Sequence, residues 1–183
     1  MLIPLVGHGA FSVIADISKE VHNLSGPLFP FLLVLIFLNM VRQNLYERGD
    51  MTWVVKGGGF FGGSHPSAGR YNPGEKLLFW LTILLGVVIS VTGLVLNFPV
   101  LATMVLDYYP EFEQYRRVME TMHGVHGVVG IVFISRIFGH IFLATVLVPG
   151  TLTGMTSGKV DVNWARSHHS RWYKQMMEEK GKD

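Results

Sequence analysis

Residues 121–150 read TMHGVHGVVGIVFISRIFGHIFLATVLVPG, a run of 30 in which Arg136 is the only charge. Wound as a helix at about 1.5 Å per residue, such a run is longer than the roughly 30 Å hydrocarbon layer of a bilayer. In lipid a helix satisfies every backbone N–H and C=O within its own segment, so a helical span is the economical reading. Two other stretches have the same character. Residues 24–41 contain 18 positions without a charge, and residues 77–106 contain 30, with Asn97 and Pro99 expected to end that helix early. The chain therefore reads as an all-α integral membrane protein. It forms one membrane-embedded domain over 1–183, with three visible spans at about 24–41, 77–98 and 121–148 of a transmembrane helical bundle.

Composition points the same way. Of 183 residues, 49% are hydrophobic and 15% charged, whereas soluble domains carry nearer about 25% charged residues. A net charge of +2 with scattered basic residues gives no nucleic-acid footprint. The absence of cysteine excludes disulfides, thiolate zinc sites, iron–sulfur ligation and covalent c-type haem within this chain. Eight histidines and nine methionines remain as ligands for a soft metal or a haem.

Met1–Ala15 is apolar but too short to span, and Pro4, Gly7 and Gly9 weaken it as a helix. It lacks the basic start and small-residue cleavage site of a signal peptide, so 1–23 reads as an outer interfacial segment. Lys and Arg fix the expected orientation. The 42–76 loop holds Arg42, Arg48, Lys56, Arg70 and Lys76. The 151–183 tail holds Lys159, Arg166, Arg171, Lys174, Lys180 and Lys182. Both are expected in the cytoplasm. Before the first span there is only Lys19, and in the loop after the second, Arg116 and Arg117 are offset by Asp107, Glu111 and Glu113. An outer N-terminus with no preceding span raises the expectation that a further helix precedes Met1 and that this reading frame starts late.

His126 and His140 are 14 residues apart, close to four helical turns. They share a face at a separation of roughly 21 Å, with Gly124, Gly127, Gly130 and Gly139 beside them. A single intramembrane histidine is more readily explained by a hydrogen bond to a neighbouring helix. Two at this spacing among small residues favour haem ligation. His22, just before the first span, lies at the depth of His126, and two imidazoles on facing helices hold a b-type haem without covalent attachment. His140 needs a partner towards the cytoplasm. His8 and His123 lie on the outer side, His65 in a loop, and His168 with His169 in the tail, and none is a natural partner. Arg136, one turn before His140, is expected to face the bundle interior; a haem propionate and an acidic group of another subunit are both open as its counter-charge.

The stretch from Lys56 to Ser64 is glycine-rich but lacks the Gly-Lys-Ser/Thr ending of a phosphate loop, and reads as a flexible connector. Beyond it, Asn72 is held at the membrane surface by Pro73-Gly74. Its side chain can bond a quinone carbonyl or cap the following helix, and on chemistry alone capping is favoured.

These residues resemble the cytochrome b (gamma) subunits of respiratory formate dehydrogenases, from about His22 to Lys174. The resemblance is carried by Gly69-Arg-Tyr-Asn-Pro-Gly-Glu-Lys-Leu-Leu-Phe-Trp80, by the His126/His140 spacing, and by a tail of Gly150-Thr-Leu-Thr-Gly-Met155, Gly158-Lys-Val160, Trp164-Ala165 and His168-His-Ser-Arg-Trp-Tyr173. It implies a four-helix bundle in the bacterial cytoplasmic membrane with two b haems. Electrons would pass from an iron–sulfur beta subunit, fed by a molybdenum or tungsten alpha subunit, to a quinone near the inner face. By position, His22 and His126 resemble the outer haem ligands and His140 one inner ligand. Asn72 and Gly74 resemble residues lining the quinone pocket, which reverses the capping preference. The family's first helix, with the second inner ligand, has no counterpart here, so these residues account for one haem, or two with that helix. The chain carries no nucleophile–base pair and is expected to be non-catalytic towards formate by itself. The alternatives are a related cytochrome b serving a hydrogenase or a thiosulfate/polysulfide reductase, and a haem-free membrane anchor.

Overall fold

The computed structural model describes residues 3–59, 66–105 and 112–182. Among these there is no strand, and the expected all-α class is what the chain adopts. The helices are α1 (Ile3–Ser25), α2 (Phe29–Met40), α3 (Asp50–Val55), α4 (Pro73–Asn97), α5 (Val100–Val105), α6 (Phe112–Phe142), α7 (Thr151–Ser157), α8 (Val162–His168) and α9 (Ser170–Lys180). Among the described residues, three helical stretches are long and apolar enough to cross a membrane: Pro4–Asn44, Pro73–Asn97 and Phe112–Leu147.

Two helices begin earlier than the charge pattern suggests. α1 runs from Ile3, with a break only at Gly7 (φ 80°, ψ 162°). Pro4 lies in its first turn, where a missing N–H costs no hydrogen bond. α6 starts at Phe112, so Arg116 and Arg117 belong to a helix and not to a loop. Arg116 pairs with Glu113 at 2.6 Å and Glu120 at 2.5 Å, the i,i+3 and i,i+4 spacings that support an exposed turn. Its 31 residues amount to about 46 Å, more than the hydrocarbon thickness. α6 continues into a π-turn at Leu143–Leu147, and Gly150 (φ 95°) then starts α7.

The chain divides into two compact units, 1–36 with 85–131 and 37–84 with 132–183. In the first, Leu33 is buried against Gly86, where a Cβ would lie 2.8 Å from the Leu33 methyls. Ser90 and Thr92, also buried, donate their hydroxyls to carbonyls one turn back, as polar groups in an apolar helix must. The Asn97 amide donates to the Asn23 carbonyl at 3.3 Å, tying the end of α4 to α1.

In the second unit, Phe79 stacks on Phe37 and Trp80 donates its indole N–H to the Asn44 carbonyl at 3.0 Å. The tail folds back on the stretch preceding α4: Arg171 N–H donates to Ala68 O, and His169 Nδ1 contacts Gly69 O at 2.9 Å. Lys76, 6% exposed, reaches Asp50 at 2.9 Å and Glu47 at 3.5 Å. Arg171 adds contacts to Asp50, Glu47 and the Arg48 carbonyl. Burial pushes the Asp50 carboxyl up. The Lys76 hydrogen bond, the Glu47 N–H and the charges of Lys76 and Arg171 outweigh that and hold it below its ordinary value.

Large apolar side chains remain exposed on the long helices, among them Phe31, Leu32 and Leu38 on α2 and Ile131, Ile134 and Phe138 on α6. In water this would be an interaction surface; on an integral membrane protein it is the face turned to lipid.

Candidate functional site

In the first unit, the last turn of α1 supplies His22, α6 supplies His126, and α4 supplies Thr92 and Gly93. The two imidazole centroids are 6.0 Å apart with ring planes at 68°. His126 Nδ1 lies 2.9 Å from Thr92 Oγ1. A Cβ at Gly93 would fall 2.9 Å from His126 Cε1, so only glycine leaves room for the ring at this position.

The fit to a haem iron is tested by the ring spacing. With metal–imidazole bonds of about 2 Å, two imidazoles that shared one metal would have centroids up to about 6 Å apart, and the pair stands at 6.0 Å. Among the described residues no group of three or more His, Cys, Asp or Glu side chains gathers as a metal site. A pair without a third ligand suits a metal that arrives with its equatorial ligands already in a macrocycle. The residues fit the group.

In the second unit, His140 lies on α6, one turn after Arg136. Arg136 Nη2 donates to the Leu78 carbonyl at 3.0 Å, while its Nε is buried without a hydrogen-bond partner. Among the described residues, no histidine ring pairs with His140 as His22 pairs with His126. Gly139 beside it is open, with nothing within 4 Å of where a Cβ would stand.

Asn72 and Gly74 open α4. Asn72 Oδ1 accepts from Glu75 N–H at 3.0 Å, and Glu75 Oε2 accepts from Asn72 N–H at 2.8 Å. With Pro73 as the first helical residue, this is a capping box. The cap consumes Oδ1 and leaves Nδ2 outside it, so capping and donation to a quinone carbonyl use different atoms of one amide. Gly74 lets Trp53 approach, since a Cβ there would be 3.3 Å from the indole. Behind the cap, Glu75 Oε1 stands 4.0 Å from Nε2 of the buried His169.

The other histidines are dispersed. His123 Nδ1 contacts the Met119 carbonyl one turn back, His8 lies on α1, and Trp164 packs against both His168 and His169. His65, residues 60–64 of the glycine-rich connector, Asp107 and Glu111 lie outside the described residues. Sequence reading alone does not single out Thr92, Gly93, Glu75 or His169. Of these only Glu75 leaves a local signal, the Asn-x-x-Glu spacing of the cap.

A profile of the family described as prokaryotic cytochrome b561 matches residues 3–158. The chain is 30% identical over 169 residues to the nitrate-inducible formate dehydrogenase cytochrome b556(Fdn) subunit of Escherichia coli K12, covering 88% of this chain and 71% of that protein. It is 29% identical over 168 residues to the formate dehydrogenase cytochrome b556 subunit of Haemophilus influenzae, covering 87% and 64%. The cytochrome b556(fdo) subunit of E. coli K12 is 28% identical over 162 residues, covering 88% and 72%.

Proposed function

The chain belongs to the prokaryotic cytochrome b561 family, and on that premise we propose that it is the membrane-anchoring cytochrome b subunit of a formate dehydrogenase complex. It carries electrons from an iron–sulfur subunit, fed by a molybdenum or tungsten subunit that oxidises formate, to a membrane quinone. The observation that carries this reading is the His22–His126 pair at 6.0 Å. The names of the relatives support the choice of formate as the source of electrons.

Bound haem b supplies reversible one-electron exchange at its iron. This chain's residues do the rest. His22 and His126 would hold the iron of one haem, and the helices carrying them would fix its depth towards the outer face. His140 offers one ligand for a second haem. Arg136, anchored to the Leu78 carbonyl, has its buried Nε left to donate to a propionate. Asn72 Nδ2, with Gly74 beside it, binds a quinone carbonyl, and protons for the quinol enter from the cytoplasm. The 42–76 loop and the 151–183 tail are cytoplasmic, and the protein resides in the bacterial cytoplasmic membrane.

The test is to co-express the chain with its partner subunits and to record reduced-minus-oxidised spectra with formate and, separately, with hydrogen as reductant. A b-type α band that develops with formate and is diminished in His126→Ala supports the reading. A band that develops only with hydrogen transfers the subunit to a hydrogenase, and a colourless complex leaves a haem-free anchor.

A further inference from the structure

Thr92 lies in the C-terminal third of the apolar helix α4, buried, and its one hydroxyl has three neighbours. The Val88 carbonyl is 2.8 Å away, the Ile89 carbonyl 3.2 Å, and His126 Nδ1 2.9 Å. A hydroxyl has one proton to give and lone pairs to receive. Both carbonyls can only accept, and a proton pointed at Nδ1 would leave two oxygens facing each other at hydrogen-bond distance with nothing between them. The proton therefore goes to the backbone, and Oγ1 accepts from the ring. His126 carries its proton on Nδ1. Its Nε2 is then the bare nitrogen, the form a metal requires.

We propose that Thr92 is a positioning residue for the haem ligand His126: its hydroxyl accepts the Nδ1 proton, fixes the tautomer and leaves Nε2 as the ligating nitrogen. This rests on the haem reading above. Gly93 completes the seat. A Cβ there would stand 2.9 Å from Cε1 and 3.4 Å from Nδ1, so the missing side chain is what leaves room for the ring in its bonded position. A helix that supplies neither imidazole of the pair thus decides how the one on α6 is presented. An acceptor on Nδ1–H also makes the imidazole a more basic ligand, which favours the ferric over the ferrous state. Removing the acceptor raises the midpoint potential.

The experiment uses the full chain co-expressed with its partner subunits, comparing the parent with Thr92→Val, Thr92→Ser and His126→Ala. The readouts are haem per chain, the low-spin ferric EPR signal and a redox titration of the b-type α band. Thr92→Val keeps the shape and removes the side-chain acceptor, leaving the Ile89 carbonyl as the backbone partner of the ring. It is expected to shift the ferric/ferrous ratio up to tenfold, equivalent to about 59 mV upwards for a one-electron couple, and to alter the EPR signal. Thr92→Ser retains the oxygen and reads as the parent. Where Thr92→Val accumulates no haem, Thr92→Ala is compared with Thr92→Ser, and haem kept by Ser but lost by Ala supports the proposal. Potential and EPR signal unchanged in Thr92→Val, with haem lost in His126→Ala, overturn the role of Thr92 and leave the haem reading standing. An undiminished haem signal in His126→Ala overturns both.

Discussion

Replacing Gly93 by alanine puts a methyl where the His126 ring now lies. The added Cβ would be 2.9 Å from Cε1 and 3.4 Å from Nδ1, about 0.5 Å short of ordinary contact at the nearer atom. The ring is the group that must yield, because the other side of the contact is helix backbone. A displacement of that size takes the 2.9 Å bond to Thr92 to the edge of hydrogen-bonding distance. It also changes the 6.0 Å spacing to His22. Overpacking costs about 1–3 kcal/mol and a weakened hydrogen bond about 1 kcal/mol. Together these lower haem affinity by roughly 30-fold to several hundred-fold, since about 1.4 kcal/mol is a factor of ten. The assay is haem per chain in purified complex, with Gly9→Ala as control, since nothing lies within 4 Å of a Cβ there and the position is not beside either imidazole. Alanine is the better helix former, so the control retains full haem. Gly93→Ala with parental haem content, or a control that loses as much, would refute the steric argument.

Other substitutions address the second unit. Lys76→Met removes the nearer of two cations from a buried cluster and leaves Asp50, 5% exposed, with only Arg171 at 3.5 Å and the Glu47 N–H; thermal unfolding should register a loss of at most about 3 kcal/mol, and adding Asp50→Asn should recover much of it. Because the folded-state pKa of Asp50 is depressed, the stability it contributes is complete above the ordinary value of 3.8 and is lost as pH falls through the lower folded value. Unfolding temperatures measured on the acid side should therefore fall less steeply after Asp50→Asn than in the parent protein. Asn72→Ser retains an oxygen for the cap, so stability changes by no more than a few tenths of a kcal/mol, yet it deletes Nδ2. Quinone reduction should drop at least tenfold while haem reduction by formate stays normal, and unchanged quinone turnover would leave the side chain as a cap alone.

The spans and their histidines are legible because they depend on local pattern. A charge-free run marks a helix in lipid wherever it occurs, and the separation of His126 and His140 places them on one face without tertiary knowledge. The beginning of α6 escapes the charge pattern because Glu113, Arg116 and Glu120 look like loop charges in a hydropathy count, whereas at i,i+3 and i,i+4 they support a helix. α1 is hidden when two glycines and a proline are weighed equally, although Pro4 costs nothing in a first turn and only Gly7 breaks the geometry. Thr92 and Gly93 are beyond reach: each has its role only through an imidazole 34 and 33 positions away, on another helix. Asp50 and Lys76 are hidden for the same reason, since a cation and a carboxylate 26 residues apart have no signature until the chain brings them together.

The return of the tail to the stretch before α4 bears on biogenesis. His169 meets a carbonyl 100 residues upstream, and Arg171 meets Asp50 from 121 residues downstream. Since a chain emerges from the ribosome N-terminus first, the surroundings of Asn72 are completed only after all three spans have been made. A product terminated prematurely, anywhere ahead of His169, would insert those spans and still lack the buckle that shapes this region. Entry into the bilayer and maturation of this region are thereby separate events in the life of the polypeptide.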